Sequence, residues 1–228
     1  MPFSPDEIQA IFLSIKVAIW SVAAGIIPAT ACAYLLARFN FKGKSIFDAI
    51  IHLPLVVPPV VTGYLLILFI GRRTMLGNLF ESIGVQFAFN WKGAVLASMV
   101  MSFPLMVRAI RISIESIDRG LEEAALTLGS SKFKTLRTVT LPLAVPGLIS
   151  GSMLAFARSL GEFGATITFV ANIPGETQTL PLALYSYTQT PGGELMAGRL
   201  CVVAVLIAIG ALVVSEFLSR RTARRLHQ

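Results

Sequence analysis

Long apolar stretches recur along the chain, and charged residues bound each of them. The clearest stretch, the 21 residues Val17–Ala37, has no charged side chain between Lys16 and Arg38. A helix of this length spans about 32 Å, which is enough to cross the apolar core of one bilayer. Four more stretches have this character, so we predict five membrane spans, at about residues 10–37, 49–71, 91–114, 139–160 and 195–219.

The amino-acid composition indicates the same class of protein. Of the 228 residues, 55% are hydrophobic and only 14% are charged, and the mean hydropathy is +0.76. An ordinary soluble domain carries about 25% charged residues. We therefore predict an all-α integral membrane protein with a bundle of about five transmembrane helices. Residues 1–228 form one transmembrane domain, with its core at about 8–219. Cys32 and Cys201 both lie in apolar runs, a placement that predicts neither a disulfide nor a metal site.

The second predicted span contains a group of helix-breaking residues. Pro54, Pro58 and Pro59 fall within six residues, and Gly63 follows them. Each proline removes a backbone hydrogen bond, and irregular backbone is stable at membrane depth only where protein buries it or water reaches it. Two interpretations remain open: the prolines kink the start of a helix, or they shape a segment that lines a substrate path. His52 has no metal-binding or catalytic partner nearby in sequence, so we expect a hydrogen-bonded structural histidine.

A long connection separates the fourth and fifth predicted spans. Within residues 161–194, the apolar run Phe163–Ala171 has nine residues, which are too few to cross a bilayer. We expect this run to extend the preceding helix or to form a re-entrant segment, and we expect a short helix near Leu182–Tyr187. Arg158 and Glu162 lie four residues apart at the end of the fourth span, so they can pair on one helix face.

The segment Asp118–Pro142 is the main polar interruption of the apolar pattern, and we call it the elbow. Asp118 can cap a first helix, and Gly129 suits the turn at the end of that helix, which requires a positive φ. Ser130 or Ser131 can cap a second, basic helix that ends near Pro142. The sequence therefore predicts two short helical arms joined at a glycine.

Basic residues are distributed unevenly between the two sides of this layout. Thirteen of the nineteen lie in the first loop, the elbow region and the tail, and none lies in residues 161–194. Cytoplasmic segments carry an excess of lysine and arginine, so we predict the N-terminus outside and the elbow and C-terminus in the cytoplasm. Arg72 and Arg73, on the predicted outer side, are the main exception. The net charge of +7 has this origin and does not indicate a nucleic-acid partner.

The chain carries no nucleotide-binding motif of its own. Gly43-Lys44-Ser45 resembles the end of a phosphate-binding loop, but that motif needs a glycine where Arg38 stands. His52 and His227 are the only histidines, and no span contains paired carboxylates, so the chain lacks the groups for catalysis within the membrane. We predict that it is not an enzyme and that it binds no cofactor or metal itself.

The elbow also carries a spaced motif. Glu123-Ala124-Ala125 is followed after three residues by Gly129 and after nine more by Val139-Thr140-Leu141-Pro142. This pattern resembles the EAA motif of ABC-importer permeases, and Val139 in place of isoleucine is the only departure from it. The resemblance implies the type I ABC importer permease fold and an elbow that docks into a cleft of a cytoplasmic ATPase, with Glu122 and Glu123 offering carboxylates to basic groups of that partner. The residues it assigns to ATPase coupling are Glu122, Glu123, Ala124, Ala125, Gly129 and Pro142.

Further stretches resemble the permeases of bacterial molybdate ABC importers, and together they cover essentially the whole chain. They are HLPLVVPPVVTGY (52–64), MSFPLMVRAIR (101–111), ARSLGEFGATITFV (157–170), NIPGETQTLP (172–181) and QTPGGE (189–194). Sulfate and thiosulfate permeases share Gly161–Ala165, so these oxyanions, and tungstate, remain alternatives. The resemblance implies a multi-pass protein of the bacterial plasma (inner) membrane that acts as a homodimer. It also implies two cytoplasmic ABC ATPase subunits, which bind ATP and Mg²⁺, and a periplasmic or extracellular molybdate-binding protein.

Candidates for lining the path of a tetrahedral dianion come from the same stretches. A path must bind the ion weakly enough to release it, and hydroxyl and backbone N–H groups meet this need better than a cluster of cations. Arg158 is the nearest cation, either as the structural partner of Glu162 or as a contact of the ion. The path candidates are Pro58, Pro59, Ser159, Glu162, Thr166 and Thr168. The alternative in a different class is an ATPase-independent secondary carrier, but such carriers commonly show inverted repeats, and no internal repeat is evident here.

Overall fold

The computed structural model of the chain describes residues 3–226, without the side chains of 215, 216 and 218–226 in the last helix. The part described is built from helices and contains no strand, as predicted. Helices bond their backbone groups internally, which a bilayer core requires. The helices are α1 Pro5–Arg38, α2 Lys44–Val56, α3 Pro59–Ile70, α4 Met75–Ser82, α5 Trp91–Glu115, α6 Arg119–Thr127, α7 Lys132–Thr135, a π-helical turn Leu136–Thr140, α8 Leu141–Leu143, α9 Val145–Leu160, α10 Gly164–Val170, α11 Leu180–Thr188 and α12 Glu194–Leu226.

Three of the described helices are long and apolar enough to cross a membrane without a break. They are α1, α5 and the part of α12 from Glu194 to Val214, and they overlap the first, third and fifth predicted spans. α1 begins ahead of the predicted span because Ser4 and Glu7 form a capping box, in which each side chain accepts a hydrogen bond from the backbone N–H of the other. Each of the other two predicted spans is divided between helices of different direction.

Small residues let the central helices approach one another closely. α1, α5 and α9 surround a buried apolar cluster that contains Ala29, Ala33 and Ile110. Gly151 of α9 lies against α5, where an added Cβ would be 3.1 Å from the Met106 carbonyl oxygen. Close contact of this kind stabilises helix pairs in a membrane, because lipid supplies no hydrophobic driving force between them. These three helices form the centre of the bundle.

The prolines break the helix in the predicted span 49–71, as the sequence indicates. The segment is divided between α2 and α3, and the chain bends by 116° between them. Val57 and Pro58 are both extended, with ψ 139° and 135°. A proline disfavours the α conformation in the residue before it, so Pro58 ends α2 and Pro59 delays the start of α3 to its own position. The first of the two interpretations, a kink at the start of a helix, does not describe this bend.

The predicted span 139–160 is bent near its start. Its first residues belong to the second arm of the elbow, and the chain bends by 67° at Ala144 before α9 begins at Val145. Pro146 accounts for the break, because it has no N–H to donate to the preceding turn but is well tolerated in the first turn of a new helix. The straight part of this span is therefore α9 alone.

The connection between α9 and α12 contains two short helices. α10 covers most of the apolar run Phe163–Ala171 and is separated from α9 by a turn at Gly161, so the run is not an extension of α9. Ala165 and Phe169 of α10 are fully buried against α3 and α5, which fits the interpretation of a re-entrant segment. α11 contains the short helix predicted near Leu182–Tyr187.

A buried ion pair ties the start of α1 to the start of α12. The Glu7 side chain is fully buried, and its Oε2 accepts a hydrogen bond from Arg199 Nη2 at 3.0 Å. The Arg199 guanidinium also lies over the Phe3 ring, 5.4 Å from its centroid. Two helices far apart in sequence are thus joined at one end of the bundle.

We expect Glu7→Ala to lower the thermal stability of the purified protein, because it removes the carboxylate that the Arg199 guanidinium contacts. Breaking a buried pair by removing one member costs roughly 3 kcal/mol. Thermal unfolding in detergent measures the effect. Asp6→Ala is the matched control, because Asp6 lies in the same helical turn but is exposed. Equal stability losses in the two variants would contradict the importance of the pair.

Candidate functional site

The first arm of the elbow is α6, as the sequence predicts. Backbone hydrogen bonds hold the turn at its end. Asp118 caps α6 by accepting a hydrogen bond at 2.9 Å from the backbone N–H two residues on. Gly129 has φ 87°, and the N–H groups of Gly129 and Ser130 donate to the carbonyls of Leu126 and Ala125. This pair of hydrogen bonds is a Schellman motif, in which glycine is favoured because other residues resist a positive φ. The angle between the arms is therefore set by Gly129.

The second arm is a helix with an irregular middle. Ser131 caps it by accepting a hydrogen bond from Lys134 N. α7 continues into the π-helical turn Leu136–Thr140 and then into α8, which ends at Leu143, one residue beyond the predicted end. π-helical turns are rare and frequently occur at functional sites.

Apolar side chains are exposed around the turn of the elbow. Leu128 is 87% exposed and Phe133 is 68% exposed, and Leu121 and Leu126 are also on the surface. We call these four side chains the elbow tip. α6 itself has no buried residue. An apolar patch on an otherwise polar segment is typical of a surface that binds another protein.

Most residues of the motif are exposed to solvent or only partly buried. Glu123, Ala124, Gly129 and Pro142 are exposed, and Ala125 is half-buried. Ala124 is on the same helix face as two leucines of the elbow tip, since residues three and four apart share a face. Its small side chain would let a partner approach α6 closely. The elbow therefore offers a rigid, partly apolar surface with one free carboxylate, that of Glu123.

Glu122 differs from the other motif residues because it is turned inward. Its Oε2 lies 3.0 Å from Arg38 Nε, and its Oε1 accepts a hydrogen bond from Thr140 Oγ1 at 2.6 Å. The side chains of Arg38 and Glu122 are only 7% and 15% exposed. The expectation that Glu122 offers its carboxylate to a partner is corrected by this geometry, because the carboxylate is already bonded within the chain.

The sequence did not identify Arg38 and Thr140 as the partners of Glu122. Arg38 is 84 positions from Glu122, and Thr140 is 18 positions away. The only signal was the position of Arg38 directly at the end of a charge-free stretch. Such a residue also occurs as an ordinary interfacial anchor, so the pairing becomes visible only when the elbow is folded against α1.

The two stretches that hold the path candidates meet where α3 packs against α10. An added Cβ at Gly164 would lie 2.8 Å from Pro59 Cβ. An added Cβ at Gly63 would lie 2.6 Å from the Ala165 carbonyl oxygen and 2.8 Å from Thr168 Cβ. Both glycines are thus required for the close approach of these helices. The contact brings the proline group and the long connection together in space.

The polar path candidates differ in how accessible they are. Ser159 is buried and shares a hydrogen bond of 3.3 Å with Ser102. Thr166 is buried, and its hydroxyl has no hydrogen-bond partner within the described residues. Thr168 is half-buried and donates to the carbonyl four residues earlier, and Pro58 is exposed at the bend. Of these three hydroxyl groups, only that of Thr168 belongs to a partly accessible residue.

The Glu162 carboxylate stabilises the turn between α9 and α10 through two contacts. Its Oε2 lies 2.7 Å from Arg158 Nη1, which confirms the predicted pairing, and its Oε1 accepts a hydrogen bond from Ala165 N at 2.8 Å. The Glu162 side chain is 1% exposed, whereas that of Arg158 is 28% exposed. A cavity of about 540 Å³ opens nearby between α9, α11 and α12, but its lining is mostly apolar and does not suit a dianion.

His52 and the charged residues near it have hydrogen-bond or ion-pair partners within the chain. His52 Nδ1 lies 2.9 Å from the Asp48 carbonyl oxygen, so His52 is hydrogen-bonded as predicted. Arg111 contacts the carboxylates of Asp48 and Glu115, and the first of these contacts joins α2 to α5. Among the side chains that the structure describes, no three of histidine, cysteine, aspartate or glutamate are grouped so that they could hold a metal ion.

The sequence of this chain is similar to those of known membrane transport proteins. Residues 21–228 match the family described as binding-protein-dependent transport system inner membrane component. The molybdenum transport system permease protein ModB of Escherichia coli (strain K12) is 53% identical over 226 residues, which are 99% of this chain and 99% of that protein. The protein of the same name from Haemophilus influenzae is 55% identical over 223 residues, 97% of each chain.

Solved structures share the fold. A bacterial ABC transporter involved in the import of the acidic polysaccharide alginate contains a chain that matches with a TM-score of 0.76, over 96% of this chain and 80% of that chain. The sequence identity of 18% limits this likeness to the fold. This likeness confirms the predicted type I ABC importer permease fold. The relatives similar in sequence are transport subunits and not enzymes. The chain therefore belongs to the family of binding-protein-dependent transport system inner membrane components, as a multi-pass membrane permease.

Proposed function

We propose that this chain is the permease subunit of an ATP-driven importer of molybdate. The observation that carries the proposal is the elbow, which presents an exposed apolar tip on a rigid turn and carries the EAA motif. The choice of molybdate rests on the relatives named above, which are permeases of molybdenum transport systems. Sulfate and tungstate are the alternatives for the cargo.

The energy for import comes from a partner, because the chain has no nucleotide-binding motif. We infer that a cytoplasmic ABC ATPase binds ATP and Mg²⁺ and receives the elbow tip in a cleft. Leu128 and Phe133 would supply apolar contact area, and Glu123 would supply a carboxylate for a basic group of the ATPase. Burial of exposed apolar area is the main favourable term in most protein association. A homodimer of this chain would carry two elbows and thus engage two ATPase subunits.

The cargo reaches the outer side on a separate binding protein, in keeping with the description of the family. The permease then needs to provide a passage and not a tight site. A dianion loses favourable hydration when it enters the membrane, and polar groups along the passage must compensate without trapping it. We propose that the α3–α10 contact, with Pro59 and Thr168, lies beside this passage, since it combines an irregular backbone with a hydroxyl group.

Uptake by proteoliposomes that contain the chain with its ATPase and its binding protein tests this function. We expect accumulation of molybdate only when ATP is present on the ATPase side, and similar accumulation of tungstate, because the two dianions have nearly the same size and charge. We expect much less sulfate. A preference for sulfate would contradict the proposed cargo but not the architecture, whereas uptake without the ATPase would identify a secondary carrier.

A further inference from the structure

Three polar side chains join α1 to the elbow. Glu122 lies at their centre, with Arg38 Nε at 3.0 Å from Oε2 and with Thr140 Oγ1 donating to Oε1 at 2.6 Å. We call Arg38, Glu122 and Thr140 the junction. Arg38 Nη2 also donates to the Ile117 carbonyl at 3.2 Å, between α5 and α6. The junction thus connects α1, the end of α5 and both arms of the elbow.

The guanidinium of Arg38 is held in a fixed orientation. It bonds through Nε to a carboxylate and through Nη2 to a backbone carbonyl, so two positions of the planar group are engaged. A lysine ammonium is a single point of charge and could not reproduce this arrangement. Because both side chains of the ion pair are largely buried, salt and water screen their attraction only weakly.

The first arm of the elbow has little else to hold it against the membrane bundle. α6 contains no buried residue. A cavity of about 140 Å³ remains beside Glu122, between Tyr34 and Phe39 on one side and Leu126 and Thr135 on the other. Apolar packing across this boundary is therefore incomplete. The polar contacts of the junction are the main attachment of α6 to α1.

On its other side, the junction is attached to the centre of the bundle. Arg38 is the last residue of α1, and Leu36, Ala33 and Ala29 before it are fully buried in the cluster shared by α1, α5 and α9. Closely packed interiors transmit displacement because their side chains have little free space in which to yield. A force on the guanidinium is therefore passed along α1.

We propose that Arg38 is a positioning residue for energy coupling, which acts through Glu122 to make the elbow and α1 move as one body. The inference rests on the proposed function, because it needs an ATPase that displaces the elbow. When the ATPase closes, the junction carries the movement of α6 to a membrane-spanning helix. Without the junction, α6 follows the ATPase while α1 stays in place, and ATP is hydrolysed without transport.

The number of molybdate ions imported per ATP hydrolysed by the complete reconstituted transporter tests this role. We expect Arg38→Gln to lower the ratio about tenfold, the scale set by the loss of a charged hydrogen bond. Lys42→Gln is the matched control: it removes an exposed basic charge from the loop that follows α1, and we expect no change in the ratio. The exchange Arg38→Glu with Glu122→Arg rebuilds the ion pair in reverse but loses the hydrogen bond to the Ile117 carbonyl, so we expect it to restore part of the ratio.

Two results would overturn the proposal: an unchanged ratio in Arg38→Gln, and a reduced ratio that the exchange does not restore. If Arg38→Gln fails to insert, Thr140→Val decides the matter, because it removes only the hydroxyl that bonds Glu122. We expect it to lower the ratio about threefold, and an unchanged ratio would again overturn the role. Failure of the proposed function is distinct, since the wild-type complex would then show no ATP-driven molybdate uptake, which overturns both.

Discussion

Gly129→Trp is expected to abolish ATP-driven uptake and to leave the amount of chain in the membrane unchanged. Gly129 has φ 87°, and a side chain held in this conformation costs about 1–2 kcal/mol. An added Cβ would have no heavy atom within 4 Å, so the first atom of the new side chain meets open space. The indole would strain the turn between the arms and project beside Leu128, into the surface that we propose docks into the ATPase.

Uptake by membrane vesicles and immunoblotting of the membrane fraction measure the two quantities. Gly43→Trp is the matched control, because Gly43 has φ 88° and equally open surroundings but lies in the loop before α2. We expect this variant to transport nearly as well as the wild type. Gly129→Asn should also retain much of the uptake, since asparagine tolerates a positive φ. Normal uptake by Gly129→Trp would mean that the elbow is not the coupling surface.

Gly63→Val is expected to remove most uptake for a different reason, the loss of the contact between α3 and α10. The new Cβ would lie 2.6 Å from the Ala165 carbonyl oxygen, which is closer than real contacts allow. This neighbour is backbone, so it cannot turn away as a flexible side chain can, and overpacking of this kind costs about 1–3 kcal/mol or more. α3 would have to move away from α10, where the predicted path segments meet.

Thermal stability and uptake, measured together, test this expectation. Gly210→Val in α12 is the matched control, because an added Cβ there would have no heavy atom within 4 Å. We expect the control to change stability by no more than about 0.5 kcal/mol, as surface substitutions usually do. The same behaviour in Gly63→Val and Gly210→Val would contradict a role for the α3–α10 contact.

Features that depend on a local stretch of chain could be predicted from the sequence. The stretch Val17–Ala37 indicates a spanning helix because length and apolar character are sufficient for this in a bilayer. Asp118 and Gly129 indicate the ends of α6 because a cap and a positive φ are satisfied by neighbouring backbone groups. The pair of Arg158 and Glu162 was predictable for the same reason, since its members lie one helical turn apart.

The direction of the chain after a break could not be predicted. Three prolines show that residues 49–71 are irregular, but the 116° bend depends on where α3 can pack. That position is set by Gly63 and Gly164, which let α3 and α10 meet, and these two residues lie far apart in sequence. The bend in the predicted span 139–160 is a similar case, because the sequence places Pro146 but does not show the direction of the arm before it.

Glu122 illustrates the difference between what the sequence determines and what only the tertiary structure decides. The sequence by itself determined that the chain crosses a membrane, that it carries a two-armed elbow, and that the elbow has the spacing of the EAA motif. Only the tertiary structure decided that Glu122 faces inward to Arg38 and Thr140 while Glu123 faces outward. The physical reason is that helix periodicity places neighbouring residues on different faces, but the position of α6 relative to α1 determines which of these faces turns inward.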